Sequence, residues 1–167
     1  VSQAITVDQL MAEADLVVRA RVSEAPKTRV VRHEFPIKDE KGLEIGSKVD
    51  EMAFSDTVFE VTETYSGKST AKITVMQTGG ALPESPNKIR GMADDPIFNV
   101  GEEYLLFLVD ISGDPVQAPG RDLYRIVNPS GRYRIVGKNV SSYGEKMDSI
   151  QLPTTLDELE AQIKKYT

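Results

Sequence analysis

The stretch "ETYSGKSTAKITV", residues 63–75, decides between two fold classes. Its Gly67-Lys68-Ser69 is the closing triplet of a phosphate-binding P-loop, a motif that ends a strand and opens a helix in an α/β protein. The full pattern, G-x-x-x-x-G-K-[ST], needs glycine at position 62, where Thr62 stands. The loop must also lead into a helix whose first amides hold the phosphates. The chain leads instead into Ile73-Thr74-Val75, β-branched residues that favour a strand. The segment therefore reads as strand, turn, strand, with Gly67 supplying a positive φ and Lys68 in solvent.

The flanks extend the same reading. Upstream, "MAFSDTVFEVTETY" (residues 52–65) is a long strand whose apolar phase passes from Met52 and Phe54 to Phe59 and Val61. That slip near Ser55 to Thr57 is read as a β-bulge. Downstream, residues 71–77 form a strand with Ile73 and Val75 inward. "YLLFLV" (104–109) is apolar on both faces, as a central strand must be. Strands are also expected at 16–23, 28–35, 122–127 and 132–136, with Pro36 ending the second or marking an edge. Asn128-Pro129-Ser130-Gly131 is a turn between the last two. Residues 38–51, charged and carrying two glycines, read as a solvated loop or hairpin tip.

Two helices frame the strands. Thr6 with Gln9, and Thr155 with Glu158, have capping-box spacing. They predict helices over 7–13 and 155–166, the second carrying Leu156, Leu159, Ile163 and Tyr166 on one stripe. Strands and helices do not alternate. The expectation is one mainly β domain over 1–167: an antiparallel OB-like barrel of six or seven strands (16–140) with short terminal helices.

Composition narrows the function. The chain has 167 residues, a net charge of −6 and no cysteine. The missing cysteine removes disulfides, thiol catalysis and thiolate metal sites. The acidic balance argues against a nucleic-acid partner, which needs a strong positive field. No apolar run reaches the ~18 residues that span a membrane as a helix. The chain starts at Val1-Ser2-Gln3 without Met, so a leader or anchor upstream of Val1 is expected to have been removed.

Candidate chemistry is sparse. His33, the one histidine, lies in strand phase with Val31 and Phe35 and reads as a structural or surface residue; a small hydrolase would need it as a base. No G-x-S-x-G elbow accompanies it. Asp94-Asp95-Pro96 reads first as turn chemistry, and no segment supplies an EF-hand loop. Arg19 with Arg21, and Arg132 with Arg134, read as charges on the wet faces of two strands. Neither a metal nor a cofactor is expected. The 25-residue span 78–102, rich in Gly and Pro, is the expected contact surface, with Arg90, Asp94 and Asp95 as its polar contacts.

"TVDQLMAEADLVVRARV", "FEVTETYSGKSTAKITVMQTGG", "FNVGEEYLLFL" and "GRYRIVGKNV" together resemble an uncharacterised group of bacterial secreted proteins and lipoproteins. The resemblance covers most of residues 6–140 and rests on strand and turn residues. It implies the OB-type barrel of netrin-like and TIMP-like domains, whose "F..G..YL.F" strand is similar to Phe98, Gly101, Tyr104, Leu105 and Phe107. TIMP-like inhibitors chelate zinc through an N-terminal Cys-x-Cys, and that route does not carry over to a chain without cysteine. What the resemblance implies is an extracytoplasmic address, secreted or lipid-anchored. The resulting expectation is a non-enzymatic binding module for a protein or cell-envelope component, with a His33 hydrolase and a structural domain of a larger envelope protein as the alternatives.

Overall fold

Five strands close into a ring in the computed structural model, which describes residues 5–82, 85–91, 95–144 and 149–167, without the side chains of His33 and of 81–91. They are β1 (Leu16–Val22), β3 (Glu44–Ser66), β4 (Lys72–Leu82), β7 (Tyr124–Ile126) and β6 (Glu103–Asp110), in that order, and β6 pairs back onto β1. Four more strands lie off the ring. β2 (Lys27–Lys38) pairs with β3, β5 (Ser85–Gly91) with β4, β8 (Arg132–Val136) with β6, and β9 (Asn139–Ser142) with β8. Every ladder is antiparallel except β4–β7, joined in parallel at Val75 and Tyr124. The protein is mainly β, and its sheet is mixed where antiparallel pairing throughout was expected.

The period-two pattern explains what fills the ring. Leu16, Val18, Ala20 and Val22 of β1 meet Phe59, Ile73 and Val75 on one side and Tyr104, Leu106 and Leu108 on the other. The opposite phase of β1 and β6 (Val17, Leu105, Phe107) is buried too, because α1 (Val7–Glu13) and α2 (Leu156–Lys164) cover it with Leu10, Leu159 and Ile163. β6 is therefore apolar on both faces for a physical reason: it separates two cores. Both caps form as expected. Gln9 accepts from the Thr6 amide, and Thr155 Oγ1 accepts from the Glu158 amide at 3.2 Å.

Three expectations are corrected. No register shift interrupts β3 near Ser55–Thr57; its ladders with β2 and β4 run unbroken there. The phase slips because Phe54 packs on a third cluster with Met76, Ala118 and Leu123, outside the ring, whereas Phe59 points into it. A strand passing from one core to another needs no extra residue. The charged 38–51 segment does hold the exposed hairpin tip, at 39–43, but the rest of it is strand, so β2 and β3 pair from Lys27–Asp56 out to Lys38–Glu44. Finally, the 78–102 span is not simply a loop. β4 continues to Leu82 and β5 pairs with it, Gly79 facing Gly91 and Gly80 facing Arg90.

Gly67 turns β3 into β4 with φ +82°, and a Cβ there would stand 2.4 Å from the Asp15 carbonyl oxygen. Glycine is required by the turn and by that close approach. Lys68 is exposed and β4 comes next, so the triplet is a hairpin turn.

Candidate functional site

Two arginine–aspartate clusters form, one toward the ring interior and one on the outer face of β3 with Phe54. The first centres on Arg132, whose side chain is 1% exposed. β8 presents it in the same phase as Leu106 of β6, toward the ring side of the sheet. This corrects the expectation that Arg132 lies on a wet face. Its guanidinium donates to Asp95 Oδ1 at 2.7 Å, to the Pro96 carbonyl and to the Tyr104 hydroxyl at 2.9 Å. It also stands 4.1 Å from the Phe98 ring centroid, 4.3 Å from Tyr143 and 4.9 Å from Tyr104. Gln77 seals the assembly, donating to Asp95 Oδ1 at 2.9 Å and accepting from the Phe98 amide at 3.2 Å. Burial pushes the Tyr104 hydroxyl well above its ordinary pKa, against the opposing pull of Arg132. Such a caged cation has no free face for a ligand.

That arrangement settles what Asp95 does in the fold. Its carboxylate is committed to Arg132 and Gln77, which ties the end of the 78–102 span onto β4 and β8. The other two residues expected as contacts, Arg90 and Asp94, cannot be added to it: the Arg90 side chain and all of Asp94 lie outside the described residues. The His33 side chain does too, although its Cα faces Asp50 in the β2–β3 ladder. Arg19 and Arg21 form no stripe with Arg132. Both bind Glu103, at 2.8 and 3.2 Å.

The second cluster opens onto solvent. Asp56, at the point where β2 and β4 both pair with β3, has a side chain 9% exposed. Its Oδ2 accepts from Arg29 Nε at 2.7 Å and from Arg121 Nη1 at 2.6 Å. Oδ1 is buried without a hydrogen-bond partner among the described residues. Arg29 is fixed further by the Gln117 carbonyl and by the Phe54 ring, 5.2 Å from its guanidinium carbon. Arg121 is different. Its side chain is 52% exposed, and the contact with Asp56 leaves donors on its outer edge.

A cavity of about 530 Å³ lies over this cluster, lined by Lys27 and Arg29 of β2, Asp56 of β3, Thr74 of β4, and Arg121 and Asp122 of the loop before β7. Three cations face two carboxylates there, a local excess of one positive charge in a chain of net charge −6.

The loop that carries Arg121 is organised by its own short-range bonds. Asp114 Oδ1 accepts from the amides of Val116 and Gln117, at 2.9 and 2.8 Å, and Asp110 Oδ1 from the Ser112 amide at 2.9 Å. These bonds hold both carboxyls below their ordinary pKa: the Ser112 hydroxyl and then its amide for Asp110, the amides of Gln117 and then Val116 for Asp114. The Asp114 turn sets the Gln117 carbonyl where Arg29 reaches it.

Sequence reasoning misses this site because its partners are remote. Asp56 lies 27 residues from Arg29 and 65 from Arg121. The one local signal is a polar run, Ser55-Asp56-Thr57, inside an apolar strand, and by its phase alone it reads as a bulge. Comparisons with protein-family models, with curated proteins and with solved structures each return no match for this chain.

Proposed function

We propose that the protein is a non-enzymatic binding module that works outside the cytoplasm, and that the Asp56–Arg29–Arg121 cavity is where it takes its ligand. The observation that carries this is the contrast in Arg121. It is anchored on one side by a buried carboxylate, and on the other it offers unused donors to a cavity large enough for a small molecule or a chain terminus. The ligand class is an anionic group, carboxylate or phosphate, that a preorganised guanidinium fork and Lys27 can grip. A protein or cell-envelope component bearing such a group is the partner.

An OB-like barrel is the finer fold we propose. What supports it is the closed circuit of five strands, in which the last in sequence, β7, lies between β4 and β6. That is a Greek-key order, and OB barrels bind ligands on the outer face of their second and third strands between two flanking loops. The cavity lies on β3 and β4, the second and third strands of the ring, between the β2 segment and the loop before β7. The extracytoplasmic address, secreted or lipid-anchored, rests on the sequence resemblance.

The test is a thermal-shift panel of small carboxylates, phosphates and sulfates, and of acidic oligosaccharides, with wild type and Arg121→Ala. A ligand at one hundred times its Kd adds about 2.7 kcal/mol to the folded state and raises Tm by roughly 5–10 °C. The expected result is a shift with one anion class that Arg121→Ala abolishes. An equal shift in Arg121→Ala, or none with any anion, overturns the assignment.

A further inference from the structure

The β2–β3 pair extends far beyond the ring. β3 is bonded to β4 only from Phe54 onward, so from Glu44 to Ala53 its edge away from β2 is unpaired among the described residues. β2 has β3 as its one partner strand among the same residues. A two-stranded ribbon is marginal by itself, because a third strand or a packed face is what makes such a unit stable. The ribbon also concentrates exposed apolar surface: Val30, Ile37, Leu43, Ile45, Val49 and Met52 are all on it, against three comparable residues elsewhere among those described. The two edges differ. β2 includes Pro36, which cannot donate to a ladder, and carries four cations, Lys27, Arg29, Arg32 and Lys38, against one carboxylate, Glu34. The free edge of β3 has no proline and is acidic on balance, with Glu44, Asp50 and Glu51 against Lys48.

Its sequence, Glu44-Ile45-Gly46-Ser47-Lys48-Val49-Asp50-Glu51-Met52-Ala53, is complementary to itself when reversed. In an antiparallel pairing with a two-fold axis at Val49, Val49 meets its own copy and Lys48 meets Asp50 of the other chain, twice by symmetry. Ile45 then falls opposite Ala53 on the same face as Val49, so an apolar pair flanks the axis on each side. This register uses the free edge from Ile45 to Ala53 with no overhang. Charge favours the same occupant. Residues 27–53 hold six cationic and six anionic side chains, so the whole of the −6 lies outside the ribbon. Two chains repel at their bodies and do not repel at their ribbons, which directs contact to the ribbons.

We propose that a second copy of this chain pairs along the free edge of β3, joining the two ribbons into a four-stranded sheet with its two-fold axis at Val49. The partner is fixed by the edge, not by a pocket: main-chain hydrogen bonds supply attraction, and the two Lys48–Asp50 pairs set the register. The interface is independent of the anion cavity, which lies at the other end of the ribbon.

Sedimentation velocity over a micromolar to millimolar range tests this with wild type, Lys48→Asp and the swap Lys48→Asp/Asp50→Lys. The substituted side chains are exposed, and matched far-UV circular dichroism and Tm check that each variant is folded. The expected result is a wild-type monomer–dimer equilibrium, weakened about tenfold or more in Lys48→Asp, where two attractive pairs become repulsive. The swap restores it to within a few-fold, since it rebuilds both pairs with reversed sign. A wild type that stays monomeric throughout overturns the proposal and leaves the edge to a strand of another protein. A dimer indifferent to Lys48→Asp, or a swap that fails to recover, overturns it equally, because the contact is then elsewhere or in another register.

Discussion

Arg132 and Arg121 are both tied to an aspartate at 2.6–2.7 Å, yet they belong to opposite kinds of site. Arg132 is enclosed by three aromatic rings, a carboxylate, a carbonyl and a hydroxyl. Every favourable contact it makes is internal, and removing it would take the cation from the largely buried Asp95 carboxylate and leave a gap among the Phe98, Tyr104 and Tyr143 rings. Arg121 shares Asp56 with Arg29 and keeps half its surface in water. The bond length is the same; the difference is where the remaining donors point. A guanidinium sealed from water, as at Arg132, holds the fold, and one that keeps donors at the surface, as at Arg121, is placed to meet a ligand.

Truncating each arginine puts that contrast at greatest risk. Arg132→Met should cost about 3–5 kcal/mol, because it breaks an ion pair whose cation is fully buried and takes the cation from the partly exposed Asp95 carboxylate. Arg121→Ala should cost no more than about 1 kcal/mol, since a half-exposed ion pair is screened by water. Urea denaturation of the two variants against wild type measures both. Similar losses in the two would mean that the clusters do the same work.

Acid should separate the two regions further. The Asp110 and Asp114 carboxyls are held below their ordinary pKa by hydrogen bonds within the 111–123 loop. For a carboxyl lowered on folding, the stabilisation is complete above the unfolded-state pKa, near 4, and is lost as pH falls through the lower folded value. The loop, and with it the Gln117 carbonyl that holds Arg29, should therefore loosen below about pH 4. Amide hydrogen exchange at Val116 and Gln117 should accelerate there, while Phe98 and Arg132 stay protected. Simultaneous loss of protection at all four positions would show that the loop has no stability of its own.

The two clusters also differ in how far the sequence announces them. Both helices are legible, because Thr6–Gln9 and Thr155–Glu158 are local signals read within one turn. The centre of the ring is legible through alternation in β1 and the doubly apolar β6. Arg132 is not: strand alternation says which residues share a face but not which face is covered, and "RYRIV" places arginine and tyrosine on opposite faces that are both buried at Arg132 and Tyr133. The outer half of β3 is hidden because a solvated ribbon has no apolar period, and β5 because glycine and proline mask a hairpin. The Asp56 cluster is a product of topology, assembled from a strand crossing and a distant loop, and no short window contains it.

Whether the arginines divide into a structural and a recognition site is decided by titrating the protein with a small carboxylate or phosphate, whichever the thermal-shift panel selects. The side-chain Nε–H resonances of the arginines report the outcome. Arg29 and Arg121 should move together in a saturable way while Arg132 stays in place. Movement of Arg132, or saturation that leaves Arg29 and Arg121 untouched, would contradict the division.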